Sequence, residues 1–142
     1  MKRILNKYKL TVNCSTDNLD MIRSYINNVS TKVNLSSDKA QQVEMAVDEA
    51  CTNVIKHACA YDEKKSLTIQ VKHKQDELII EIIDRGDAEF DPSEVEKVDL
   101  KEFVSRRKKG GLGIHLIKNL MDDVEYYIGN GNQNRVKMVK HI

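Results

Sequence analysis

Apolar residues recur along this chain with two different periods, and the switches between them mark the elements. Ile4, Tyr8, Leu10, Val12 and Cys14 alternate loosely with polar neighbours, which predicts a strand over residues 4–14. Ser15-Thr16-Asp17 supplies capping acceptors, and Leu19, Ile22, Ile26 and Val29 then follow at the three- and four-residue steps of a helix. Ser36-Ser37-Asp38 caps a second, longer helix that reaches about Ala60 on the stripe Val43, Ala46, Val47, Ala50, Val54 and Ala58. Alternation returns at Leu67-Ile69-Val71. A turn at Gln75-Asp76-Glu77 then leads into the run Leu78 to Ile83, so this pair reads as an antiparallel hairpin.

The pattern fails between Asp87 and Lys109, a span holding the only proline, Pro92, and the charged stretch Ser93 to Lys101. It reads as a long loop with room for a short helix, and loops of this length in compact domains usually act as lids. A helix resumes at Leu112–Met121, and two strands, Val124–Ile128 and Arg135–Val139, flank a turn at Gly129-Asn130-Gly131-Asn132. Strands joined by a tight turn cannot be parallel. The order β-α-α-β-β-lid-α-β-β therefore predicts an α/β two-layer sandwich of the α+β class: a mixed, mostly antiparallel sheet with helices on one face. A Rossmann layout is excluded. The expectation is a single domain over residues 1–142 with its lid at about 87–110.

Composition adds mainly exclusions. With 40% hydrophobic and 32% charged residues the chain is an ordinary globular one, and its net charge of +1 gives no reason to expect nucleic acid or an anionic membrane as partner. No apolar stretch approaches the ~20 residues of a membrane span. The N-terminal Met1-Lys2-Arg3-Ile4-Leu5-Asn6-Lys7 turns polar too soon for a signal peptide, so a cytoplasmic location is expected. Cys14, Cys51 and Cys59 form no C-x-x-C pair, and the odd count predicts reduced thiols. Cys51 and Cys59 lie two helical turns apart, about 12 Å, too far to bridge. All three read as small buried hydrophobes.

Three segments carry candidate chemistry. Glu49 and Asn53, four residues apart, share one helix face at the edge of the apolar stripe. The Glu49 carboxylate can take a proton from a hydroxyl, and the Asn53 carboxamide oxygen is a hard ligand suited to Mg²⁺. Asp84, at the end of an apolar strand, can accept from an exocyclic amine, while Gly86 lets a base approach the backbone. Gly110-Gly111-Leu112-Gly113 opens a helix whose free N–H groups face an anion, with Lys108 and Lys109 just upstream. It is not a Walker loop, because the G-x-x-x-x-G-K-[ST] order is missing. The four histidines show no metal-ligand spacing, although His57 lies one turn beyond Asn53.

Together these segments resemble the N box and the two glycine boxes of the Bergerat-fold ATP-binding domains shared by histidine kinases, DNA gyrase and MutL-type proteins. The branch they resemble most is that of the stand-alone bacterial anti-sigma factor serine/threonine kinases. The matching stretches are E-A-C-T-N-V-I-K-H-A (Glu49–Ala58), I-I-D-R-G-D-A-E-F-D-P (Ile82–Pro92) and G-G-L-G-I-H-L-I-K-N-L-M-D (Gly110–Asp122). The resemblance implies ATP and Mg²⁺ as cofactors, Glu49 as general base, Asn53 as the Mg²⁺ ligand, and Asp84, Gly86 and Ala88 around adenine. Lys109, Gly110, Gly111, Leu112 and Gly113 are implied to close on the phosphates. It further implies a STAS-domain anti-anti-sigma protein as substrate, a sigma factor as second partner, and a kinase homodimer. The sequence departs from the superfamily at Ala88, where D-x-G-x-G has its second glycine. A non-catalytic module that binds nucleotide or a partner is the alternative.

Overall fold

The computed structural model describes residues 3–84, 95–98, 112–129 and 134–142. In chain order these form strand β1 (Ile4–Asn13), helices α1 (Leu19–Lys32) and α2 (Ser37–Asn53), and strands β2 (Ser66–Lys74), β3 (Glu77–Ile83) and β4 (Val95–Val98). Helix α3 (Leu112–Leu120) and strands β5 (Asp123–Gly129) and β6 (Asn134–His141) follow. The strands form one sheet in the order β1-β2-β3-β6-β5-β4, and every described pairing is antiparallel.

The two-residue period of the strands sorts their side chains into two faces. Leu67, Ile69 and Val71 of β2 align with Ile82 and Ile80 of β3, which in turn face Val136 and Met138 of β6. All are buried in one cluster with Ile22, Ile26 and Val29 of α1, Val43, Val47 and Ala50 of α2, and Ile117 of α3. The three helices thus cover one face, and each fully buried aliphatic side chain in that layer contributes about 1.5–3 kcal/mol. On the other face Glu81 is only 4% exposed, held by Lys72 at 3.1 Å and Arg135 at 3.3 Å. A buried carboxylate persists only with such partners. These bridges tie β2, β3 and β6 together just before β3 reaches Asp84.

Two features differ from the sequence expectation. Part of the charged stretch Ser93–Lys101 is a strand and not a short helix: β4 pairs with β5 from Val95↔Gly129 to Val98↔Tyr126. Its partner lies about thirty residues on, beyond any local periodicity. The remainder of the predicted lid lies outside the described residues. The second difference concerns the thiols. Cys14 and Cys59 are joined in a disulfide with a Cα–Cα distance of 6.3 Å, and only Cys51 is free. The expectation of three reduced thiols is corrected for two of them. Spacing could test only the pair on one helix, whereas packing brings the end of β1 against a residue 45 positions away. No helix among the described residues is long and apolar enough to cross a membrane.

Candidate functional site

Helix α2 begins conventionally. The Ser36 side chain accepts a hydrogen bond from the Lys39 amide at 3.3 Å, and Asp38 places negative charge in the first turn. Its buried stripe is Val43, Ala46, Val47, Ala50 and Cys51, with Glu49, Thr52 and Asn53 half-buried along the edge. Glu49 and Asn53 are one turn apart, a spacing that sets their Cβ atoms about 5–6 Å from each other. The position preceding Glu49 is anchored twice. Arg23 of α1 donates to Asp48 Oδ1 at 2.7 Å while also pairing with Asp20, and Thr52 Oγ1 donates to the Asp48 carbonyl at 2.7 Å. The hydrogen bonds that Arg23 donates to the Asp20 and Asp48 carboxylates hold its guanidinium above its ordinary pKa.

The helix ends unconventionally. From Val54 to Ala58 it widens into a π-helical turn, with the Cys59 amide reaching back to the Val54 carbonyl at 2.8 Å. The sequence predicted an uninterrupted helix to about Ala60. The wide turn keeps Val54 and Ile55 in the core, at 2% and 0% exposure, while aiming Cys59 at Cys14. Ala60 and Tyr61 then adopt positive φ values of 50° and 62°. Side chains other than glycine pay about 1–2 kcal/mol for each such conformation. Cys51, fully buried, has its thiol pKa pushed well up by desolvation and by the nearby Asp48 charge, so it behaves as a small hydrophobe.

Asp84 lies at the end of β3 and is 8% exposed. Its amide donates to the Asn134 carbonyl at 3.2 Å, and its Oδ1 accepts from the Asn134 amide at 2.6 Å. This reciprocal pair fixes the carboxylate where the β3–β6 ladder stops. Asn134 carried no signal in the sequence, because the contact spans fifty positions and uses its backbone alone. Leu112 and Gly113 open α3, and α3 packs directly on α2; α2 also touches β3. The carriers of Glu49, Asn53, Asp84 and the last glycine box are therefore neighbours. Gly86, Ala88, Lys109, Gly110 and Gly111 lie outside the described residues.

Among the described residues no three His, Cys, Asp or Glu side chains converge as a metal cage. A single carboxamide at the edge of a helix suits Mg²⁺ only when phosphates and water supply the other ligands.

The family model of the histidine kinase-like ATPase domain matches residues 12–140. Among curated proteins, the chain is 31% identical to the serine-protein kinase RsbW of Staphylococcus aureus, covering 94% of this chain and 86% of that one. It is 29% identical to the RsbW of Listeria monocytogenes over 100% of this chain and 91% of the relative. Among solved structures, a crystal structure of the RsbU and RsbW domains of a Mycobacterium tuberculosis protein superposes with a TM-score of 0.68 at 11% identity. That match covers 95% of this chain but 32% of the longer one, and it speaks for the fold.

Proposed function

Because the chain belongs to the family of histidine kinase-like ATPase domains, we propose that it is an ATP-dependent protein serine kinase of a partner-switching circuit. Its substrate in this reading is a small STAS-type anti-anti-sigma protein, and its other partner is a sigma factor, both met by a kinase homodimer. The observation that carries the reading is the placement of Glu49 and Asn53, half-buried and one turn apart on α2, a helix that packs on α3. The kinase names of the full-length relatives support it.

Bound ATP supplies the phosphoryl group. Glu49 takes the proton of the attacking serine hydroxyl, a role that contributes roughly 10²–10⁴-fold to rate. Asn53 would hold Mg²⁺ through its carboxamide oxygen, with phosphates and water as the remaining ligands. Asp84, oriented by Asn134, would accept from the exocyclic amine of adenine, and Gly86 and Ala88 are assigned to the same part of the site by sequence resemblance alone. Lys109 and Gly110 to Gly113 would serve the phosphates by the resemblance of their sequence, and the start of α3 at Leu112 would favour that negative charge. A second reading, a nucleotide- or partner-binding module without transfer, is favoured only by Ala88, which lacks the backbone freedom of the usual glycine.

Calorimetric titration with ATP, with and without Mg²⁺, tests the site against an Asn53→Ala variant. Mg²⁺-dependent binding that disappears in the variant is expected. Absence of binding at millimolar ATP would leave only the partner-binding role.

A further inference from the structure

We propose that Cys14 and Cys59 form a reversible dithiol–disulfide switch that sets the conformation of the α2 end and, through it, nucleotide affinity. The proposal rests on the ATP-binding reading above for its second half only. Both cysteines are at most 1% exposed, and the bond ties the end of β1 to the last residue before the strained exit of α2. That exit holds two successive non-glycine residues, Ala60 and Tyr61, at positive φ. Such a conformation persists only where surrounding contacts over-determine it. The contacts that hold it include Cys59 N–H to the Val54 carbonyl at 2.8 Å, Tyr61 N–H to the Ile55 carbonyl at 2.9 Å, Asp62 N–H to the Cys59 carbonyl at 2.9 Å, and the disulfide as the one covalent tie.

The Cys14 amide also donates to the Lys65 carbonyl at 2.9 Å, so Cys14 ties both ends of the return segment from Cys59 to Lys65. Cutting the disulfide removes the covalent member of this set. The two αL residues can then relax, and the wide turn that starts directly after Asn53 can revert to regular helix. Reversion rotates the chain beyond Asn53 and loosens the edge on which Asn53 sits. The oxidised form is therefore the one with the pre-organised site.

The chemistry is thiol–disulfide exchange with a low-molecular-weight disulfide. One cysteine thiolate attacks a sulfur of the small disulfide, expelling one thiolate and leaving a mixed disulfide. The second cysteine thiolate attacks the protein sulfur and expels the other. Two electrons pass from the cysteine pair to the small disulfide, and the two protons shed by the cysteines end on the released thiols. Burial of both sulfurs means exchange proceeds through local opening of the exit segment, whose Tyr61 is 58% exposed.

The test equilibrates the full-length protein in reduced and oxidised glutathione and counts alkylated thiols by mass. Amide hydrogen exchange over residues 54–61 and ATP affinity are then measured in each state, beside the Cys14→Ser/Cys59→Ser double variant. We expect faster exchange on reduction, ATP weakened about tenfold, and a double variant insensitive to glutathione. By reciprocity, saturating ATP should shift the glutathione midpoint toward the disulfide by the same factor. Failure of the pair to oxidise, or identical exchange in both states, overturns the switch. Altered exchange with unchanged ATP affinity overturns its link to the nucleotide. Altered exchange with no ATP binding in either state refutes the kinase reading and leaves the helix switch standing.

Discussion

The two ends of α2 are built on different principles. Its start is closed by a local device: Ser36 caps the Lys39 amide, and the apolar stripe follows with regular spacing. Its end, where Glu49 and Asn53 sit, relies on distant parts of the molecule. Arg23 of α1 reaches Asp48, Cys14 just beyond β1 bonds Cys59, and the last turn is widened with Val54 and Ile55 in the core. A helix that merely packs has no use for such an ending. One that presents two polar side chains at fixed spacing beside a glycine-opened helix needs its last turn held from outside, because a helix terminus otherwise frays.

Substitutions sharpen this contrast in order of size. Glu49→Gln keeps the shape of the side chain and removes its basicity. Phosphoryl transfer to a STAS-type substrate should fall by roughly 10²–10⁴-fold with ATP binding retained. Parallel loss of transfer and calorimetric ATP binding would mean that Glu49 acts on the nucleotide and not on the hydroxyl. Next comes Ile55→Ala, which empties a fully buried position in the widened turn. Chemical denaturation should register a loss of about 2–5 kcal/mol, and a cost near that of a surface substitution would show that the turn collapses to fill the space.

At the opposite end of the helix, Ser36→Ala should cost only about 1 kcal/mol in the same denaturation experiment. It should leave ATP affinity unchanged, since the cap acts nearly five turns from Asn53. A comparable loss of ATP binding would erase the distinction between the two ends. A different kind of effect, read as a pH dependence, belongs to Cys51. Its thiol is held above its ordinary value in the folded state, so the unfolded chain releases the proton first as pH rises. Its contribution to stability is complete below about pH 8.5 and declines above it. The stability gap between the wild type and Cys51→Ala should therefore narrow between pH 8 and pH 10; a constant gap would mean that the thiol is not desolvated.

The cost of the α2 ending explains which parts of the site could be read from the sequence. The edge position of Glu49 and Asn53 followed from the helical period, because Ala50 and Val54 fix which side is inward. The strand that ends at Asp84 followed from the apolar run Leu78 to Ile83. The wide turn did not, since V-I-K-H-A is locally compatible with an ordinary helix, while the core around Ile55 and the Cys14 partner of Cys59 come from distant parts of the chain. Nor was Asn134 visible as the residue that orients Asp84, because a backbone amide acts there and any residue type supplies one. Strand β4 stayed hidden for a related reason: its charged sequence gains order from a partner strand in β5.

By itself, the sequence determined whatever repeats within a few residues. That includes the period of the helices and of every described strand except β4, the caps at Ser15 and Ser36, the hairpin joining β2 to β3, and the spacing of the candidate site residues. Only the tertiary structure decided which ends meet: Cys14 with Cys59, Asp84 with Asn134, Arg23 with Asp48, and Glu81 with both Lys72 and Arg135. The physical reason lies in the range of the interactions. Hydrogen-bond periodicity and capping act over one or two turns and leave a local trace, whereas a disulfide, an ion pair or a ladder end joins residues that become neighbours only once the helices have packed on the sheet.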